Sequence, residues 1–103
     1  MREHPMTLTQ FNATLADHTP PPALPPTLRA LWHDARGDWQ RAHEVAQDID
    51  TRDGAWIHAY LHRKEGDEGN AAYWYRRASQ PVAHDDLDVE WRRIVESLLD
   101  RRA

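Results

Sequence analysis

The chain has 103 residues, the usual size of one domain, and we predict a single domain over residues 1–103. Thirteen Lys and Arg residues against seventeen Asp and Glu residues give a net charge of −4, which disfavours binding to nucleic acid. The sequence has no cysteine, no leading apolar segment and no apolar run of about 18 residues. We therefore expect a cytoplasmic protein without disulfides and without a membrane partner.

The first predicted elements are a short helix and a proline-rich strap. Thr7 and Gln10 have the spacing of a capping box, and apolar residues recur on one face, which predicts a helix over residues 7–16. Residues 18–26 contain five prolines, whose fixed φ excludes helix and predicts an extended polyproline II strap. The strap is either a stiff linker or a ligand for the aromatic groove of a partner.

Two antiparallel helices are predicted next. From Thr27 the apolar residues recur at helical spacing, and Gly37 has the position of a left-handed cap at the end of that helix. Asp38 is predicted to cap a second helix, whose apolar face extends to Ile49. Residues 50–54 contain turn-forming side chains and predict a loop.

The same pattern repeats in a second hairpin. A helix begins near Trp56 and stops at Gly66, and Asp67 caps a helix that ends before Pro81. Superposing the pair Gly66-Asp67 on the pair 37–38 gives a repeat of 29 residues (66 minus 37). The sequence therefore predicts an internal duplication of one helical hairpin.

A final amphipathic helix is predicted over residues 86–101. Acidic side chains are concentrated at its start and arginines at its end, in agreement with the helix dipole. The complete prediction is an all-α fold of about six helices, in which two hairpins are flanked by an N-terminal and a C-terminal helix.

Part of the second hairpin resembles the second half of tetratricopeptide and Sel1-like repeats. The matching residues are Gly66, Asp67, Ala71, Trp74, Tyr75 and Ala78. The resemblance implies stacked hairpins whose concave face binds a peptide or a partner protein. The repeat of 29 residues is shorter than the usual ~34, and only two units are visible, so the flanking helices would have to cover the ends of the stack.

A narrower resemblance is to a family of small, uncharacterised bacterial all-helical proteins. The matching residues are Trp56 to Arg63, Glu65 to Asp67, Asn70 and Tyr73 to Ala78. No active residues are known for that family, so this resemblance supports the fold and assigns no catalytic residue.

The leading functional hypothesis is a protein or peptide interaction module, with a homodimer formed through an aromatic patch as a variant. A structural subunit of a larger assembly is a further alternative. The sequence contains no nucleophile triad, no phosphate-binding loop and no paired-carboxylate motif, so we assign no catalytic residue, and an enzyme is the less favoured class.

The alternative hypothesis is a metal or small-ligand site around His58, His62 and Arg63. The two histidines lie four residues apart on one predicted helix, a spacing that metal-binding helices use. Glu65, Asp67 or His33 is the predicted third ligand, and an open coordination position would activate water for hydrolysis. A histidine in an aromatic-rich helix also often just makes a hydrogen bond, so no metal or cofactor is assigned.

Polar and aromatic residues after this helix give further candidates. The charged side chains around Gly66 either cap helices and form ion pairs, or form an anion-binding site that uses Arg63 and Arg76. Successive residues of a helix point about 100° apart, so Tyr73, Trp74 and Tyr75 cannot all face one direction. Tyr73 is therefore either an exposed anchor or packs against the final helix. The predicted binding residues are His58, His62, Arg63, Glu65, Asn70, Tyr73, Trp74 and Arg76.

Overall fold

The computed structural model describes residues 6–102, without the side chain of Arg102, so residues 1–5 and 103 of the predicted domain lie outside the described range. Within that range the chain forms six helices and no strand, which confirms the all-α prediction. The helices are α1 (Leu8–Thr14), α2 (Pro26–Ala35), α3 (Trp39–Gln47), α4 (Arg52–Lys64), α5 (Glu68–Ala78) and α6 (Leu87–Arg102). Across the described residues, no helix combines the length and the apolar character needed to cross a bilayer.

The first helix is capped as predicted. The backbone N–H of Gln10 donates to the Thr7 hydroxyl at 3.1 Å, and the Thr7 N–H donates to the Gln10 side chain at 2.8 Å. The helix ends at Thr14, two residues earlier than predicted, and the Thr14 hydroxyl donates to the Phe11 carbonyl at 2.6 Å. Phe11 is fully buried and attaches this short helix to the core.

The proline-rich strap is less extended than predicted. The Leu24 N–H donates to the Pro21 carbonyl at 3.2 Å and closes a turn inside the segment 18–26. Pro26 is the first residue of α2, where the missing N–H of proline costs nothing because that position has no partner inside the helix. Leu24 is buried, so the strap is attached to the core by one leucine side chain.

The two glycine-aspartate pairs are sharp reversals between antiparallel helices, as predicted. Gly37 and Gly66 have φ values of 83° and 90°, in the left-handed region that glycine tolerates best. The next N–H groups, of Asp38 and Asp67, donate to the carbonyl five residues earlier at 3.0 and 2.9 Å. Each aspartate then accepts from the backbone N–H three residues later, at 3.0 and 3.2 Å, and so starts the following helix.

The sequence predicted a loop over residues 50–54. This prediction is wrong for residues 52–54, because α4 already begins at Arg52. Thr51 caps this helix by accepting the N–H of Gly54 at 3.1 Å. Gly54 therefore lies in the first helical turn. A Cβ at this glycine would lie only 2.7 Å from the Cβ of Ile49, so the missing side chain allows α4 to start directly against the connection that follows α3.

Helix α4 is the centre of the fold. It contacts α2, α3, α5 and α6, and all its residues from Gly54 to His62 are buried. The flanking helices pack on each other and on the hairpins: the Phe11 ring of α1 lies 5.9 Å from the Trp91 ring of α6, and the Trp91 indole donates to the Leu31 carbonyl at 3.1 Å.

We predict that Gly54→Ala lowers the free energy of unfolding by about 1–3 kcal/mol, because the new methyl group would overlap the carbonyl oxygen and the side chain of Ile49. The matched control is Gly69→Ala, also in a first helical turn, where an added Cβ meets nothing within 4 Å. The control is expected to gain about 0.4–1 kcal/mol. Urea unfolding of both variants measures the difference, and equal stabilities would contradict the close approach at Gly54.

Candidate metal centre

Three imidazoles converge between the two hairpins. His58 and His62 lie one turn apart on α4, and His43 of α3 faces them. The Nε2 atoms of His43 and His58 are 3.0 Å apart, and one ring nitrogen from each of the three histidines lies within 4.8 Å of the others. We call these three residues the histidine cluster.

The third member of the histidine cluster differs from the sequence prediction. His33 contacts the edge of the Trp32 ring at 5.1 Å and is not part of the cluster. His43 was missed, because only the packing of α3 against α4 brings it close to His58. The one available signal is that His43 follows Trp39 by four residues and so shares its helix face.

Two tryptophans hold the cluster in place. The indole of Trp39 stacks on His43 with ring centroids 4.9 Å apart, and the indole of Trp74 stacks on His58 at 4.0 Å, each with planes within 10° of parallel. The Trp39 N–H donates to the Leu61 carbonyl at 2.8 Å, which fixes α3 against α4. His58 is only 7% exposed, so these contacts are made in a largely water-excluded position.

Burial disfavours the charged form of two histidines of the cluster, His58 and His43. Desolvation, followed by the charges of His43 and His62, lowers the pKa of His58 to about 4. The pKa of His43 is lowered mainly by desolvation and then by His62, against an opposing effect of Glu65 and Glu44. A neutral imidazole has one nitrogen free to accept, and this is the form that binds metal ions.

His62 has a carboxylate partner on its other side. Its Nδ1 lies 2.6 Å from Glu65 Oε1, and Asp67 also lies within 4.8 Å of this pair. The Asp67 carboxylate is already used, because it accepts the backbone N–H of Asn70 at 3.2 Å and the Asn70 side-chain amide at 2.8 Å. These bonds lower the pKa of Asp67 and assign Asn70 to the start of α5.

Arg63 lies outside the histidine cluster and faces α6. Its guanidinium donates to Glu90 Oε1 at 2.8 Å and to the Asp85 carbonyl. Glu90 is fully buried, and its second oxygen accepts the Tyr75 hydroxyl at 2.5 Å. Burial and this carboxylate raise the pKa of Tyr75. Arg63 therefore neutralises a buried carboxylate. Its guanidinium is occupied by these bonds and does not face an anion-binding site shared with Arg76.

The three successive aromatic residues of α5 face different directions. Tyr75 is buried, Trp74 is half-buried against His58, and Tyr73 is 43% exposed. The guanidinium carbons of Arg76 and Arg77 lie 6.0 and 5.8 Å from the Tyr73 ring centre, and Arg77 donates to the Tyr73 hydroxyl at 3.0 Å. The exposed ring is thus bordered by two cations.

Comparisons of the chain with models of protein families, with curated proteins and with solved structures found no match.

The geometry of the histidine cluster is consistent with several transition metals. Among residues 6–102 the group consists of three imidazole nitrogens, which matches the ligand number of a site that keeps one position open.

We predict that the metal-free protein loses stability as the pH falls from about 6.5 towards 4. In the unfolded chain His58 takes up its proton near pH 6.5, whereas in the folded chain it does so only near 4. The unfolded state binds more protons in this window, so the free energy of unfolding decreases with falling pH. Urea unfolding in the presence of a chelator, repeated across this pH range, measures the slope.

The control for this slope uses a histidine outside the cluster. His58 faces His43 of α3, His62 of its own helix and the Trp74 indole of α5. His58→Gln removes one buried titrating group and is expected to reduce the slope, leaving the contribution of His43. Replacement of the exposed His84 by Gln is expected to preserve it. A slope that is equal in all three proteins would show that His58 does not cause it.

Proposed function

We propose that this chain binds a divalent transition-metal ion of the zinc class through His43, His58 and His62. The supporting observation is the convergence of three imidazole nitrogens, all within 4.8 Å of one another, from two different hairpins. At Zn–N bonds of about 2.0–2.1 Å, the nitrogens of a tetrahedral site are roughly 3.4 Å apart. The observed separations, 3.0 Å between Nε2 of His43 and Nε2 of His58 and at most 4.8 Å within the group, bracket that value.

The donor type favours particular metals. Imidazole suits Zn²⁺, Ni²⁺ and Cu²⁺, whereas Ca²⁺ and Mg²⁺ prefer oxygen ligands. The chain has no cysteine, so it lacks the thiolates that select Cu⁺. Three protein ligands leave a fourth position for water, and a hydrolytic role is the natural extension of this proposal.

Metal binding at this site would join α3 of the first hairpin to α4 of the second. We predict that zinc at 100 times its dissociation constant stabilises the protein by about 2.7 kcal/mol, because the ion binds only the folded arrangement. His43→Ala and His58→Ala are expected to abolish this gain. Calorimetric melting curves with and without zinc measure it, together with elemental analysis of protein purified without an affinity tag.

The matched control for zinc binding is His33→Ala, which removes a half-buried histidine outside the cluster. It is expected to retain the whole zinc-dependent gain and one equivalent of metal. Zinc stabilisation that survives in His43→Ala, or metal well below one equivalent in the unmodified protein, would contradict the proposal.

A second proposed function is the interaction role that the tetratricopeptide-like pattern implies, in a cytoplasmic protein. We assign it to an exposed surface of α5, here called the α5 surface. Its residues are all exposed, and each lies three or four positions from Tyr73 along the helix: Gly69, Asn70, Tyr73, Arg76 and Arg77. Within residues 6–102, neither arginine forms an ion pair, so an acidic peptide segment of a partner protein is the matching occupant.

Gly69 supports this assignment. A glycine inside a helix is destabilising by about 0.5–1 kcal/mol relative to alanine, and at Gly69 the fold leaves open space where a Cβ would be. The absence of a side chain is therefore not required by packing within the chain. It leaves a shallow gap beside Tyr73, one helical turn away, where a partner can approach the helix closely.

We predict that a peptide of alternating glutamate and leucine residues shifts the amide NMR signals of the α5 surface. A peptide of the same length with alternating lysine and leucine residues is expected to cause no shift. Charge attraction supplies the difference between the two peptides. The double variant Arg76→Glu/Arg77→Glu is expected to lose the response, and the control Arg92→Glu, an exposed arginine of α6, to retain it. Equal responses to both peptides, or shifts that depend only on protein concentration and so indicate self-association, would contradict this proposal.

A further inference from the structure

We infer that Glu65 is the positioning residue of the histidine cluster, that it directs Nε2 of His62 towards His43 and His58, and that the site takes one metal ion. This inference rests on the proposed metal binding and extends it from the ligands to the residue that orients them.

His62 belongs to two groups of possible ligands. One group is the histidine cluster, and the other consists of His62, Glu65 and Asp67. The two nitrogens of an imidazole point away from each other. A metal ion held by His43 and His58 can therefore bind only one of the two ring nitrogens of His62. The Nδ1 of His62 is 2.6 Å from Glu65 Oε1, which leaves Nε2 for the metal.

The backbone around Glu65 is fixed from several sides. Glu65 is the residue that ends α4, and its N–H donates to the Leu61 carbonyl at 3.1 Å. The same carbonyl accepts the Trp39 indole N–H at 2.8 Å, so the end of α4 is tied to α3. The left-handed Gly66 follows immediately and sets the reversal into α5. These bonds define the position of the Glu65 backbone one turn after His62, as a residue that orients an imidazole requires.

A second metal ion at His62, Glu65 and Asp67 is the competing interpretation of the same residues. A second ion would need a free lone pair on Nδ1 of His62. When Nδ1 carries a hydrogen and donates a hydrogen bond to Glu65, it has no free lone pair. The second ion would also need Asp67, whose two carboxylate oxygens each accept a bond from Asn70. Releasing that cap would cost α5 about 1 kcal/mol. The geometry thus favours Glu65 as a hydrogen-bond partner of a ligand.

The carboxylate has two effects on the metal site. It selects the tautomer with the proton on Nδ1, and its negative charge makes the other nitrogen a stronger donor. Removing such a partner typically weakens metal binding about 10–100-fold without removing a ligand. The same change should leave the number of bound ions unaltered.

The test is a zinc titration against a chromogenic chelator, performed on the full chain and on three variants. The unmodified protein is expected to bind one equivalent. Glu65→Ala is expected to bind one equivalent about 10–100-fold more weakly, and Glu65→Gln to fall between them, because its amide oxygen still accepts from Nδ1 but is uncharged. Asp67→Ser, which preserves a helix cap, is the control and is expected to bind with unchanged affinity.

A spectroscopic readout separates positioning from general destabilisation. Nitrogen NMR of histidine-labelled protein is expected to show His62 with its proton on Nδ1 in the unmodified protein, and a mixture of tautomers in Glu65→Ala. Zinc binding of Glu65→Ala at the unmodified affinity would overturn this inference alone. Two equivalents of zinc, one of them lost in Asp67→Ser, would also overturn it, whereas an unmodified protein that binds no zinc would overturn the proposed function as well.

Discussion

The burial of α4 on all sides is the constraint from which the rest of the structure follows. A helix whose residues 54–62 are all buried must provide a partner for every polar side chain that it contains, because an unpartnered polar group in a protein interior costs about 1–3 kcal/mol. The Tyr60 hydroxyl donates to Asp34 of α2, His58 bonds to His43 of α3, and His62 bonds to Glu65. Across residues 6–102 no buried side-chain nitrogen or oxygen is left without a partner.

The same constraint accounts for the two carboxylates that are buried within residues 6–102. Asp34 accepts from Tyr60 and from the Lys64 ammonium at 3.0 Å, and Glu90 accepts from Arg63 and from Tyr75 of α5. Each buried charge is thus matched by one cation and one hydroxyl, and two of these four donors lie on consecutive residues of α4. Removing either cation would leave an unpaired buried charge, which destabilises a protein far more than an intact pair stabilises it. These pairs fix the rotation of α4 about its axis and thereby the direction in which its histidines point.

The sequence alone predicted those features that depend on neighbours along the chain, and it failed where distant elements meet. The reversals at Gly37 and Gly66 need only a left-handed glycine and a capping aspartate, so they could be located from two residues each. Gly54 was assigned to a loop because spacing cannot distinguish a turn glycine from one that permits a close approach to another helix. His43 was missed since its contact with His58 depends on how α3 is rotated against α4, and local periodicity does not determine that rotation.

A purely structural role accounts poorly for the histidine cluster. Burying an imidazole that must remain neutral lowers stability whenever the pH approaches its ordinary pKa, and apolar side chains of similar size would fill the space between the two tryptophans at a lower free-energy cost. A single hydrogen-bonded pair would also suffice to join α3 to α4. Under the proposed metal binding, the three imidazoles would supply the ligands of the ion, and the carboxylate beside His62 would orient one of them. The stability lost by burying His43 and His58 in their neutral form would then be recovered when a cation occupies the space between the ring nitrogens.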